Sequence, residues 1–184
     1  MSVLYRLSLP VKLTLIALLA LAFSLAPNLR VLNTGLHSLE DIATERQAIS
    51  PSLQLLELTD RLQRYRYALL TQAAATENNR LLNIEREIET SFNNLAALPA
   101  PLSQRVQELR SRFLSLKEKQ TQTGLSTHFN GYSVLIGEVH SLTRDVGAHY
   151  GLMLDPSPDV YFLFQAGFLS LPAVNESLAR LRDL

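Results

Sequence analysis

The sequence predicts an all-α protein, with one N-terminal transmembrane helix followed by an antiparallel long-helix bundle of the four-helix type. Three observations predict this class. A strongly apolar stretch lies near the N-terminus, and the later segments repeat apolar residues at spacings of three and four, as amphipathic helices do. Glycine is scarce, with 7 residues in 184, and there is no Trp, a composition that favours helices over sheets.

The apolar stretch runs from Leu13 to Ala26 and is interrupted only by Thr14 and Ser24. Seventeen uncharged residues separate Lys12 from Arg30. As a helix these residues would span about 26 Å, slightly less than a hydrocarbon core of about 30 Å. The flanking cationic side chains can reach the two interfaces. We therefore predict a transmembrane helix over residues 13–29.

The same residues also fit a cleaved signal peptide, with Ala20-Leu21-Ala22 as the cleavage site. The apolar run continues past that site and leads into a helical stripe of leucines, which favours an uncleaved anchor. The positive-inside tendency then predicts a cytoplasmic N-terminus over residues 1–12 and a helical domain on the outer, periplasmic side over residues 30–184. We therefore expect a single-pass protein of the inner membrane, with the membrane as its first partner.

Four further segments carry apolar stripes with helical spacing, and we expect these stripes to form the core of the bundle. Ser50-Pro51 interrupts the first segment, either as the start of a new helix or as a kink within one long helix. The stripes are Leu55, Leu58, Leu62, Tyr65 and Leu69; Leu81, Ile84, Ile88, Phe92, Leu95 and Leu98; Leu102, Val106, Leu109, Phe113 and Leu116; and Phe129, Tyr132, Ile136, Val139, Leu142, Val146, Tyr150 and Met153.

Composition and motifs argue against several functions. Lys and Arg number 17 and are balanced by 17 Asp and Glu, so no net charge favours nucleic acid. There is no Cys, and the four His show no pair at the i, i+4 spacing of zinc ligands. Nucleotide-binding and nucleophile motifs are absent from the sequence. We therefore expect neither an enzyme nor a metal or cofactor site.

The densest polar cluster contains Arg61, Arg64 and Arg66 together with Tyr65 and Tyr67. Arg61 and Arg64 are three residues apart and share a helix face beside Tyr65. Two guanidinium groups in that position suit a carboxylate. Arg61, Arg64 and Tyr65 are thus candidates for binding a small anionic ligand. The alternative is an ordinary solvated helix face.

The segment from Gly147 to Asp159 is the most distinctive in the chain, and it reads as a junction between two helices. The functional alternative is a packing corner that fixes how two layers of the bundle meet. After it, the stretch from Val160 to Phe164 is apolar on all sides, so we expect it to be deeply buried. Pro172 should then break or kink the helix.

Residues from Thr143 to Leu184 resemble a run found in bacterial methyl-accepting chemotaxis proteins. In that family Gly-Leu-x-Leu and Asp-Pro-x-x-Asp precede an aromatic, apolar helix and then Leu-Pro. The corresponding residues here are Gly151-Leu152-Met153-Leu154, Asp155-Pro156-Ser157-Pro158-Asp159, Tyr161-Phe162-Leu163 and Leu171-Pro172. The resemblance suggests that Gly151, Asp155, Pro156 and Asp159 form the structural corner.

The resemblance implies the sensor portion of a membrane chemoreceptor that signals in bacterial chemotaxis and forms a homodimer by helix packing. The second transmembrane helix, the HAMP linker and the methylated coiled coil of that family are not found in this sequence. We therefore expect a chain truncated within its sensor domain. The same module also precedes histidine kinases and diguanylate cyclases, and an anchored helical scaffold without signalling output is a further alternative.

Overall fold

The computed structural model describes residues 9–71, 76–119, 125–153 and 158–183, and within these ranges all regular structure is helical. The all-α class predicted from the sequence is therefore confirmed. The helices are α1 (Leu9–Leu70), α2 (Thr76–Leu95), α3 (Leu102–Glu118), α4 (Leu125–His149) and α5 (Pro158–Phe164), then a π-helical segment (Gln165–Ser170) and α6 (Leu171–Asp183).

The chain divides into two compact units, Met1–Ala43 and Thr44–Leu184. Within the described ranges, no helix is both long enough and apolar enough to cross a membrane. The predicted transmembrane helix over residues 13–29, and with it the single-pass location in the inner membrane, is therefore wrong. The apolar run from Leu13 to Ala26 covers only fourteen residues, whereas a spanning helix needs about 20.

Helix α1 continues through Ser50-Pro51 without ending. Of the two possibilities that the sequence left open, a new helical segment or one long helix, the structure has the single helix. The apolar stripe that follows is buried along its length, from Leu55 to Leu69. Burial of that face holds the helical register across the proline, whose ring removes one backbone donor from the helix.

The buried apolar side chains of Thr44–Leu184 form one core, to which α1, α2, α3 and α4 each contribute. The four predicted stripes supply most of it, and only their terminal members, such as Leu116 and Met153, are partly exposed. Helical periodicity predicted these faces correctly because the apolar side of an amphipathic helix is buried only when it packs against another helix. The rings at the centre are Tyr65, Phe92, Phe113 and Tyr132, in edge or tilted contact with centroids 5.3–6.3 Å apart.

The expected deep burial of Val160 to Phe164 is wrong. Phe164 is buried, but Phe162 and Leu163 are 63% and 72% exposed. Only one side of α5 packs on the core, where the Phe164 ring lies directly over Gly147 of α4. An all-round apolar pattern indicated burial on every side, but within the described residues only one side of this short helix is covered.

The helix does not break at Pro172. The chain stays helical from Pro158 to Asp183, and the residues just before the proline widen into the π-helical segment. There the N–H of Leu171 bonds to the carbonyl of Ala166, five residues earlier. Proline has no N–H and crowds the carbonyl four residues before it. The wider π turn accommodates the ring and lets α6 continue.

Substitution of Gly147 tests the close approach of α5 to α4. In Gly147→Ala the new methyl group would overlap the buried Phe164 ring, so we expect the free energy of unfolding to fall by about 1–3 kcal/mol. Gly137→Ala on the same helix is the matched control, because its methyl group meets no atom within 4 Å. That variant should gain about 0.5–1 kcal/mol from helix propensity. Denaturant unfolding measures both free energies of unfolding. Equal changes in the two variants would contradict the close packing of Phe164 on Gly147.

Candidate functional site

Arg61 lies on the side of α1 that faces α2. Its guanidinium group donates to the Oγ of Ser91 and, at 3.4 Å, to the backbone carbonyl of Glu87. Its Nη2 is 3.4 Å from Oε2 of Glu57, and its Nε is 3.7 Å from Oε2 of Glu87. Both carboxylates are exposed to solvent. Arg61 therefore forms a bridge between two helices, and water reaches its two carboxylate partners but not Ser91, which is buried.

Arg64 is more exposed than Arg61 and pairs with Asp60, one turn earlier on α1. The hydrogen bond to the Asp60 carboxylate raises the pKa of Arg64, and the negative charges of Asp60 and Glu87 add to the effect. Glu87 thus acts on both arginines. Arg61 and Arg64 lie on one side of α1, and their proposed role in binding an anion stays a prediction.

Tyr65 is a core residue. Its ring is fully buried against Phe113 and Tyr132, with centroids 5.6 Å and 5.3 Å away. Its hydroxyl donates to Oε1 of Glu85 at 2.8 Å, and Lys117 pairs with the other oxygen of that carboxylate. Burial raises the pKa of Tyr65 and of Tyr132, so both phenols are neutral. The structure therefore separates Tyr65 from Arg61 and Arg64, with which the sequence grouped it and whose side chains are 24% and 58% exposed.

Arg66 belongs to the same sequence cluster but received no predicted role, and it is the buried member, with a side chain 1% exposed. Its Nη1 lies 2.6 Å from Oε1 of Glu176 and 2.8 Å from the Oγ of Ser133. Its Nε donates to Oδ2 of Asp183 at 2.9 Å. The ring of Phe129 lies 5.1 Å from the guanidinium carbon. One arginine on α1 thus connects α4 with two carboxylates of α6.

The carboxylate of Glu176 is surrounded by donors. Gln63 donates to its Oε2 at 2.9 Å and Arg180 donates to its Oε1 at 2.8 Å, in addition to Arg66. Asn175 in turn donates to Gln63 at 3.1 Å. Burial alone would raise the pKa of Glu176, but the hydrogen bonds from Arg66, Arg180 and Gln63 outweigh it, so the pKa is lowered. We call Arg66, Glu176, Asp183, Ser133, Gln63 and Arg180 the Arg66 network.

A sequence signal for this network exists in the heptads of α1. Ser52, Thr59 and Arg66 are seven residues apart, and all three are buried. They form a polar row on α1 beside its apolar stripe. Burial of this row as well as the stripe means that a second side of α1 is covered by other helices. The row shows which of the three arginines faces inward. It does not reveal the partner, since Glu176 lies 110 residues further along the chain.

His140 lies near the Arg66 network on α4. Its Nε2 is buried and has no hydrogen-bond partner among the described residues. Burial lowers the pKa of His140; the charge of Glu176 opposes this shift, while Arg144 and Arg180 add to it. The imidazole is therefore neutral in the folded protein at neutral pH.

Two of the four predicted corner residues lie in the described ranges. Gly151 follows α4 with a φ of +86°, a conformation that glycine adopts without strain. Asp159 is exposed in the first turn of α5. Asp155 and Pro156 lie outside the described residues. The corner as a functional feature stays a prediction. Over the described ranges, no group of His, Asp or Glu side chains could hold a metal ion.

Comparisons with protein-family models, curated proteins and solved structures found no match to this chain. What the site can do must therefore be argued from its geometry. The Arg66 network has the chemistry of a docking contact, because its donors and acceptors are matched between α1, α4 and α6. The Arg61 and Arg64 pairs are exposed, and a competing anion can reach them.

A double-mutant cycle on Arg66 and Glu176 tests how strongly the network couples α1 to α6. Arg66→Met and Glu176→Leu should each lower the free energy of unfolding by about 3 kcal/mol, because each leaves a buried charge without its main partner. The double variant should lose less than the sum, with a coupling of about 2 kcal/mol. The exposed pair gives the control: Asp60→Ala and Arg64→Ala should couple by less than about 1 kcal/mol. Additive losses at Arg66 and Glu176 would contradict the assignment.

The pH dependence of stability tests His140. A group with a lowered pKa in the fold contributes stability that is present above its ordinary value, 6.5 here, and is lost as the pH falls through the lowered value. The free energy of unfolding should therefore decrease as the pH falls below about 6.5, and His140→Gln should flatten this decrease. The exposed His149 on the same helix is the control. If His149→Gln flattened the profile as much as His140→Gln, the assignment would be wrong.

Proposed function

We propose that this chain is the sensor portion of a bacterial chemoreceptor, in which a small anionic ligand changes the packing of the helices. The segment from Thr143 to Leu184 supports this proposal through its resemblance to methyl-accepting chemotaxis proteins. The all-helical fold supports it as well, since long packed helices transmit small shifts along their axes.

We further propose that α1 to α4 form an antiparallel bundle of the four-helix type. The support comes from the centre of the core, where each of these helices contributes one aromatic ring. Tyr65 of α1 contacts Phe113 of α3 and Tyr132 of α4, and Phe92 of α2 contacts Phe113. Short connections between consecutive helices favour antiparallel neighbours.

The observation that carries the proposal is the way α6 is held. Its contact with α1 and α4 depends on the buried charges of the Arg66 network. A buried ion pair gives little net stability, because the cost of removing both charges from water offsets their attraction. Releasing α6 returns both charges to water, so its docked and released positions differ by less than the attraction of the buried charges alone. A ligand that binds one of them better shifts the population between them.

Arg61 and Arg64 are the proposed binding groups for the ligand. The side chains of their carboxylate partners Glu57, Glu87 and Asp60 are 49–63% exposed, and ion pairs that solvent reaches contribute at most about 1 kcal/mol. A dicarboxylate or a similar small anion can replace these partners with bidentate contacts at little cost. Because Arg61 and Arg66 lie on one helix, a shift of α1 at the ligand reaches the Arg66 network directly.

Ligand-induced thermal stabilisation tests the proposal, with a panel of di- and tricarboxylates and phosphate as probes. An anion that binds should stabilise the protein by about 2.7 kcal/mol when present at a hundred times its dissociation constant. Arg61→Ala with Arg64→Ala should abolish this effect. The exposed pair Arg80→Ala with Arg86→Ala removes the same charge from α2 and should leave it intact.

Two results would count against the proposal. If the Arg61 and Arg64 double variant kept the full stabilisation, the site would lie elsewhere. If no anion stabilised the protein, the role as an anion sensor would be contradicted. Sensor regions of histidine kinases and diguanylate cyclases share the proposed module and would respond in the same way. A helical scaffold that binds a protein is a second candidate function, favoured by the exposed apolar face of α6.

A further inference from the structure

A cavity of about 280 Å³ lies between α1 and the start of α6. Its apolar lining comes from Leu56 of α1 and from Leu171 and Pro172 of α6. Leu171 is 65% exposed, so a molecule from solvent can reach the cavity. Sites for small molecules in proteins typically have volumes of roughly 300–1,000 Å³. This cavity therefore suits a ligand with only a few non-hydrogen atoms.

The π-helical segment borders this cavity and leaves it open. Gly167 lies within that segment and lines the cavity. A methyl group placed on Gly167 would have no packed neighbour within 4 Å, so the helix meets empty space here instead of a side chain. Such π turns are frequent at functional sites. The turn that accommodates Pro172 thus also provides room for another molecule.

Three polar side chains line the same cavity: Thr59 and Asp60 of α1 and Asn175 of α6. The hydroxyl of Thr59 donates its only proton to the carbonyl of Leu55 at 3.0 Å. The amide of Asn175 donates one of its two protons to Gln63 at 3.1 Å. The oxygens of both side chains can still accept hydrogen bonds, and a carboxylate such as Asp60 can only accept. Acceptors therefore predominate over donors among the polar groups of this cavity.

Asp60 supplies a negative charge to the cavity. Arg64 pairs with its Oδ2, and its Oδ1 accepts no hydrogen bond from the described residues. A protonated primary amine carries three N–H donors and no acceptor. Its charge complements the carboxylate, and a hydrocarbon chain attached to it complements the apolar lining. The cavity therefore has the chemistry to recognise an alkylammonium ion.

We propose that this cavity binds a small primary alkylamine in its ammonium form. The ammonium group donates to Asp60, Thr59 and Asn175, and the hydrocarbon chain packs against Leu56 and Pro172. Because these residues belong to both α1 and α6, the bound amine connects the two helices. It therefore binds the docked position of α6 better than the released one and increases the population of the docked position.

This inference goes beyond the proposed function, because its ligand has the opposite charge. The two sites meet only where Asp60 pairs with Arg64. Arg61→Ala with Arg64→Ala should abolish stabilisation by anions but keep the binding of an amine, since Asp60 then loses a competing cation. Each proposal can therefore fail without the other.

An NMR titration of the full chain with pentylamine tests the proposal. The backbone amide signals of Thr59, Asp60 and Asn175 should shift and reach saturation, with a dissociation constant of about 1 mM or below for so small a ligand. Pentanol and pentanoate have the same chain with a neutral or a negative head group. Both should bind at least about tenfold more weakly, because they lack the charge-assisted hydrogen bonds to Asp60.

Two variants locate the site. Asp60→Asn keeps the shape of the side chain and removes its charge, so the affinity for pentylamine should fall at least about tenfold. The control Asp159→Asn removes an exposed carboxylate from the first turn of α5 and should leave the affinity unchanged. Gly167→Leu should fill the cavity and abolish binding. The control Gly137→Leu lies on α4, where an added side chain also has open space, and should bind normally.

Three results would overturn the proposal. Butylamine, pentylamine and hexylamine could all fail to give saturable shifts, which would leave the cavity without an amine ligand. Pentylamine could bind Gly167→Leu as tightly as the wild-type protein, which would place its site elsewhere. Pentanol could bind as tightly as pentylamine, which would contradict the ammonium contact with Asp60. Circular dichroism of each variant checks that helix content is retained.

Discussion

The guanidinium group of Arg66 is out of contact with water, and the arrangement around it follows from the need to pair that charge. An unpaired buried charge costs far more than a folded domain can spare. Glu176 and Asp183 provide the pairing carboxylates, and both belong to α6. The side of α6 that carries them therefore has to face α1 and α4. Packing of apolar groups plays a smaller part in holding this helix than it does in α1 to α4.

The orientation of α6 has two consequences. The leucines of its other side are left facing water, which generates the exposed apolar face of α6. The helix must also reach the network without interruption from α5, where Phe164 packs on Gly147. The π-helical segment accommodates Pro172 and keeps α5 and α6 in one helical run. Burial of one arginine thus determines which side of the last helices is available for another molecule.

Sequence periodicity was enough to identify the buried faces of α1 to α4, because a stripe of apolar side chains on one side of a helix is removed from water only by packing that side against other helices. It could not assign Arg61, Arg64 and Arg66 to different environments without the polar row of Ser52 and Thr59, and it gave no sign of the distant Glu176. The stretch between Lys12 and Arg30 was misread as a membrane span because its flanking cations were taken to extend seventeen uncharged residues, of which only the fourteen from Leu13 to Ala26 form the apolar run. Phe162 and Leu163 were misplaced because composition alone does not say how many neighbours a helix has.

Native-state hydrogen exchange in the Arg66→Met variant is the most direct measurement of whether the Arg66 network holds α6 in place. The account predicts that the backbone amides of α6 exchange faster in the variant than in the wild-type protein, because Glu176 loses its main partner and the helix is released. The amides of α2 and α3, which do not touch the network, should keep their relative protection. If the α6 amides exchanged at wild-type rates in the variant, another contact would hold the helix, and the central role given to Arg66 would be contradicted.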